Sequence, residues 1–118
     1  MTIAPPADPV KLFVACLCAQ WCRTCDDYHP LLARLAAEFP DAEFRWIDIE
    51  DEADLVDPIE VDNFPTILIA TNGNPHFFGT VTPHIDTLRR LILTCRGHGA
   101  PVVDSIEVTK LLARLHPR

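Results

Sequence analysis

Val10 to Cys18 is an almost unbroken run of apolar residues, the pattern of a short strand buried on both faces rather than one with a solvated side. Beyond Cys25 the period changes. Tyr28, Leu31, Leu32, Leu35, Ala36 and Phe39 fall on one stripe of a 3.6-residue repeat, which predicts an amphipathic helix running to about Phe39. Pro30 lies inside it and predicts a kink, because its ring meets the carbonyl of Asp26 and it has no N–H to donate.

Ala42 to Ile49 reads as a second strand, and the acidic stretch Glu50 to Asp57 has some helical character. Pro65–Thr71 and Pro75–Gly79 flank Asn72-Gly73, a pair suited to a tight turn with positive φ, so a hairpin is expected. Thr82 is a good N-cap with Pro83 at the first helical position. Ile85, Leu88, Leu91, Ile92 and Cys95 then share an inward face, and Gly97 can end that helix. Asp104 or Ser105 caps a last helix with the stripe Val108, Leu111, Leu112 and Leu115. Residues 1–9, with three prolines, read as an irregular arm. The order β-α-β-(α)-β-β-α-α predicts an α/β fold: a right-handed crossover joins parallel strands and the hairpin adds an antiparallel one. The expected organisation is a single domain over residues 1–118, with a core at about 10–96 and a helical extension at about 102–116.

Composition narrows the chemistry. A formal charge of −7 over 118 residues disfavours nucleic acid, whose phosphates call for clustered Lys and Arg. No segment approaches the roughly 20 apolar residues of a membrane span, and no basic stretch leads into an apolar one at the start, so no membrane partner and a cytoplasmic address are expected. Of five cysteines, four fall within Cys16–Cys25. A structural disulfide framework spreads its cysteines to staple distant loops, so this clustering points to redox or metal chemistry.

Cys22 and Cys25, at i and i+3 between a buried strand and a helix, share one face of the first helical turn. Cys22 falls where backbone N–H groups are unpaired and the helix dipole is positive, both of which favour a thiolate. Cys25, one turn inward, is shielded. The expected cycle has Cys22 attack a disulfide and Cys25 resolve the mixed disulfide. Cys16, Cys18, Cys22 and Cys25 can also be read as a metal or iron–sulfur set, with Cys16 and Cys18 pointing to the same side of one strand. The redox reading needs no metal and no cofactor. Cys95 reads as core, His29 as an exposed helix residue one turn beyond Cys25, and Asp48–Asp57 as a solvated face.

The stretch Trp21-Cys22-Arg23-Thr24-Cys25 resembles the active site of the thioredoxin family, and the resemblance extends over roughly residues 10–96. Pro30 sits where that family has its helix-kinking proline. Asn63-Phe64-Pro65-Thr66 resembles its cis-proline loop facing the cysteines, and Gly73 and Gly79 match its hairpin and the glycine of its substrate groove. The resemblance implies a thioredoxin fold and exchange with protein disulfides. Cys22 and Cys25 are then catalytic, with Trp21, Arg23, Phe64, Pro65 and Gly79 contacting substrate. A thioredoxin-reductase-like protein is the implied electron donor.

The chain departs from the family pattern in three places. The buried acid beneath the family's cysteines aligns with Cys16, a modulating position here, and its lysine neighbour aligns with Trp46. Since Cys16 lies beneath Cys25, a bridge between these two is a second possibility under strong oxidation. Arg23-Thr24 replaces the family's Gly-Pro; the cation should stabilise the Cys22 thiolate and make the disulfide more oxidising. Most of the family's first strand and helix has no counterpart, and Asp104–Leu115 is expected to cover the sheet face they would occupy, the alternative being that it binds a partner or a second copy. Two readings of function follow: a thiol–disulfide oxidoreductase acting on protein disulfides, or a thioredoxin-like interaction module with weak or no redox turnover.

Overall fold

The computed structural model describes residues 12–19, 23–40, 42–51, 65–82, 84–96 and 100–115. Leu12–Cys18 forms strand β1, buried at every position. It leads to helix α1, Arg23–Glu38, and then to β2, Glu43–Asp48. Strands β3, Thr66–Thr71, and β4, Asn74–Thr80, precede helices α2, Ile85–Arg96, and α3, Ile106–Leu115. The sheet order is β2-β1-β3-β4. β1 pairs with β2 in parallel and with β3 antiparallel, and β3 pairs with β4 antiparallel, which is the mixed four-stranded sheet read from the sequence.

Strand alternation divides β1 between two cores. Leu12, Val14, Cys16 and Cys18 face α1 and α2, meeting Cys25, Tyr28, Leu32, Leu35, Leu88 and Ile92. Phe13, Ala15 and Leu17 face the opposite side, where they meet Val108, Leu111, Leu112 and Leu115 of α3. The C-terminal helix therefore covers the second sheet face, as its apolar stripe implied. Ser105 is its N-cap: the Val108 N–H donates to Ser105 Oγ at 3.3 Å and the Thr109 N–H to the Ser105 carbonyl at 3.0 Å. At the other end Arg45 of β2 donates to the Leu115 carbonyl at 2.5 Å, a cation where the helix dipole is negative.

The hairpin turn is Asn72 and Gly73, with φ of 52° and 83°, the paired positive values that match a two-residue turn to the twist of its strands. A register shift between Ile69 and Ala70 leaves His76 without a cross-strand partner in the β3–β4 ladder. Its ring instead bridges Thr71 Oγ1, 2.6 Å from Nε2, and the Pro101 carbonyl, 2.8 Å from Nδ1. The Val103 N–H donates to the Pro75 carbonyl at 2.8 Å, so the segment leading to α3 is tied along the β4 edge.

α1 runs from Arg23 to Glu38 with Pro30 inside it, and the Phe39 N–H closes its last turn onto the Leu35 carbonyl at 2.9 Å, in keeping with a helix running to about Phe39. One local expectation is corrected. α2 begins at Ile85, so His84, whose carbonyl accepts the Leu88 N–H at 3.1 Å, stands where Thr82 was expected as cap. The Thr82 carbonyl is committed elsewhere, to the His84 N–H at 2.7 Å and to Tyr28. Pro83, Gly97 and residues 52–57 of the acidic stretch lie outside the described residues.

Candidate active site

At the end of β1 the chain passes from a fully buried strand to the first turn of α1, and the cysteines gather at this junction. Cys16 and Cys18 are 0% and 1% exposed, and their sulfurs lie 3.3 Å apart. Cys25, in the first turn of α1, is 1% exposed and belongs to the same core. Cys16, Cys18 and Cys25 are all thiols.

A cleft of about 440 Å³ opens over this junction, lined by Cys18, Ala19, Cys25, Asp26, His29, Trp46, Asp48 and Asp51. Its acidic wall is ordered. Asp48 Oδ1 accepts the Glu50 N–H at 2.8 Å and the Asp51 N–H at 3.2 Å, a local turn built on the Asp side chain. The lining also holds an aromatic pair, with the His29 ring edge-on to Trp46 at a centroid distance of 4.8 Å and an angle of 67°. Trp46 is the residue paired with Cys16 across β1 and β2. A buried thiol and an indole therefore stand side by side at these paired positions.

Tyr28, one turn beyond Cys25, is fully buried and holds α1 to the segment after β4. Its single hydroxyl proton is shared between the Val81 carbonyl at 2.5 Å and the Thr82 carbonyl at 2.7 Å. Burial, helped by the nearby Cys16 and Cys18 sulfurs, holds its phenol well above the usual range, so it stays a neutral donor. Burial likewise pushes the Cys95 thiol up, consistent with its reading as core.

The structure brings Cys25 and Cys16 into one core, with Arg23 exposed at the start of α1. Pro65 is buried immediately before β3. Gly79 sits in β4 opposite Ile67, where a Cβ would stand 3.3 Å from the Phe77 ring. Trp21, Cys22 and Phe64 lie outside the described residues, and with Cys22 the four-cysteine metal reading does too. Cys18 enters the sequence reading only in the metal set, and Asp48 and Asp51 only as a solvated face; the position of Asp48 at the end of β2 is the signal that carries the two acids. A second groove, about 570 Å³, runs between β4 and α2 past Phe77, Val81, Thr82, Arg90 and Leu91, and its lining includes none of the cysteines. Among the described residues no helix is long and apolar enough to cross a membrane.

Comparison with known proteins agrees with this architecture. Residues 7–92 match the thioredoxin family model. Thioredoxin-1 of Saccharomyces cerevisiae is 32% identical over 63 residues, covering 53% of this chain and 61% of the yeast protein. The H-type thioredoxin of Fagopyrum esculentum is 32% identical over 66 residues, covering 56% of this chain and 57% of its own. The matches thus span about three-fifths of these relatives. Among solved structures, a thioredoxin from Nicotiana alata superposes with a TM-score of 0.65 at 29% identity, over 74% of this chain and 75% of that one. The thioredoxin of Fasciola hepatica gives 0.65 at 26% identity, over 72% and 81%.

Proposed function

The chain belongs to the thioredoxin family, and from that premise we propose that it is a thiol–disulfide oxidoreductase acting on protein disulfides through Cys22 and Cys25. The Cys22 thiolate attacks one sulfur of a client disulfide, and the other client sulfur leaves as a thiolate and takes a proton from solvent. The Cys25 thiolate then attacks Cys22 in the mixed disulfide. The Cys22–Cys25 bond forms, the client is released as a dithiol, and the pair awaits two electrons from a reductase-type donor.

The observation that carries this reading is the position of Cys25. It is a buried thiol in the first turn of α1 that nevertheless lines a cleft, as a resolving thiol requires: hidden from solvent, reachable from the adjoining nucleophile. An extended client would pair with backbone at Phe64, beside buried Pro65. Trp21, Arg23 and Gly79 would complete its contacts, and Cys16 would modulate the site from below. The clustering of four cysteines within ten residues fits work in a reducing, cytoplasmic setting better than a structural framework does.

One observation favours the interaction-module reading. Cys16 beside Trp46 puts a thiol rather than a carboxylate at the buried position in the core that holds Cys25, and a buried thiol is a poor base at neutral pH. Insulin reduction driven by dithiothreitol, run beside Cys22→Ser, decides between them. Turnover above the dithiothreitol background that is lost in Cys22→Ser supports the oxidoreductase; equal background rates overturn it.

A further inference from the structure

We propose that Cys16 and Cys18 form a second redox-active pair inside the fold, able to close into a disulfide by drawing oxidising equivalents from the Cys22–Cys25 bridge. The inference rests on the proposed Cys22–Cys25 cycle for its oxidant. The pair itself rests on geometry.

Residues i and i+2 of a strand point the same way with Cα atoms about 6.6 Å apart, near the upper end of the roughly 4.4–6.8 Å that a disulfide spans. Side chains at that spacing normally stand parallel. Here the two sulfurs lean together to 3.3 Å; an S–S bond of about 2.05 Å also needs the two Cβ atoms within about 4.5 Å, so closure bends the strand locally at Leu17. Buried cysteines that serve only as small apolar residues are inert. This pair differs in having a route out: Cys18 lines the same cleft as Cys25, and Cys16, with no exposed surface, is reached through Cys18.

The transfer balances in two exchanges. The Cys18 thiolate attacks Cys25 in the Cys22–Cys25 bridge; a Cys18–Cys25 bond forms and Cys22 leaves as a thiolate, taking up the proton that Cys18 gave to solvent. The Cys16 thiolate then attacks Cys18; the Cys16–Cys18 bond forms and Cys25 leaves, protonated at the expense of Cys16. The outer pair is reduced by two electrons and the inner pair oxidised by two. A client disulfide can then reoxidise the outer pair, so the fully reduced chain stores four electrons. An inner bridge at the edge of its spanning range is strained, and strained bridges are the more easily reduced. The transfer from the outer bridge is therefore uphill and is drawn forward only where oxidant in excess re-forms that bridge, so the inner pair closes after the outer one, under more oxidising conditions.

The test is thiol counting and peptide mapping of the wild-type chain treated with increasing diamide. Five thiols should fall first to three, with Cys22–Cys25 bridged, and then to one, with Cys16–Cys18 bridged as well and Cys95 left. Cys16→Ala and Cys18→Ala should each stop after losing two. Loss that halts at three thiols with only Cys22–Cys25 bridged overturns the inner pair and leaves the oxidoreductase reading intact. A final bridge joining Cys16 or Cys18 to Cys25 also overturns it. Retention of all five thiols overturns both. The wild-type map decides the matter even if either alanine variant misfolds.

Discussion

The Tyr28 hydroxyl donates to the Val81 carbonyl, 53 residues further along the chain, and so ties the helix carrying Cys25 to the segment that follows the sheet. Tyr28→Phe keeps the ring but leaves buried carbonyl groups short of a donor, at a cost of about 1–3 kcal/mol. Urea unfolding should show that loss with little change in m-value. The pH dependence has a definite sign. The folded phenol titrates above the unfolded value of 10.0, so its contribution is complete below about pH 10 and declines as pH rises further. Tyr28→Phe should flatten that alkaline decline; an unchanged slope would remove Tyr28 as its source.

Leu111 of α3 is fully buried against the face of the sheet that carries Phe13, Ala15 and Leu17. Leu111→Ala should cost about 2–5 kcal/mol, and a chain ending at Gly99 should lose cooperative unfolding altogether. Thermal denaturation followed by circular dichroism measures both. Unchanged stability in the truncated chain would mean that α3 is an appendage rather than a layer of the fold.

Much of this was legible in the chain because the deciding interactions are local. The apolar run ending at Cys18 and the Asn72-Gly73 pair each fix their element within a few residues. Cys16 and Cys18 were expected on one side of β1 by alternation alone, but the 3.3 Å approach of their sulfurs depends on side-chain rotamers that alternation does not specify. Tyr28 read only as a core position, since its acceptors lie beyond the whole sheet. The start of α2 was misplaced by two residues for the same reason: the Thr82 carbonyl serves Tyr28 and a local turn. His76 gave no sign at all, because its role follows from a bulge that the residue pattern does not show.

If Cys22 attacks and Cys25 resolves, the two serine variants behave differently. Cys25→Ser should accumulate mixed disulfides with client proteins, visible as reductant-sensitive bands on non-reducing gels, and Cys22→Ser should accumulate none. The burial of Cys25 adds a second measure, slower alkylation of Cys25 than of Cys22 in the reduced protein. Equal rates at the two thiols would contradict the assignment.

Arg23 is exposed at the first position of α1, next in sequence to Cys22. Its charge should stabilise the Cys22 thiolate and so make the disulfide a better oxidant. Charges at helix ends contribute about 0.3–1 kcal/mol, or about two- to fivefold in the exchange equilibrium. Equilibration of wild type and Arg23→Gly in glutathione buffers should find the wild type more oxidising by that factor. A wild type equally or more reducing would show that Asp26, which lines the cleft with Cys25, and its neighbour Asp27 outweigh the cation.

Cys16 is the position where substitution should speed the chemistry. It is fully buried in the core that holds Cys25 and is paired in register with Trp46. A carboxylate here would accept the proton of Cys25 as that thiol attacks the mixed disulfide, which a buried thiol does poorly at neutral pH. Cys16→Asp should therefore accelerate insulin reduction at pH 7. Burial beside an indole raises the pKa of the new carboxyl, so the gain should grow as pH rises from 6 to 8, a profile that a purely structural change would not produce. The buried charge also destabilises the fold by several kcal/mol where it stays ionised, and urea unfolding alongside the rate assay separates lost protein from slow protein. Slower turnover in a variant that remains folded would mean that the Cys16 thiol is itself a working part of the site, as its contact with Cys18 suggests.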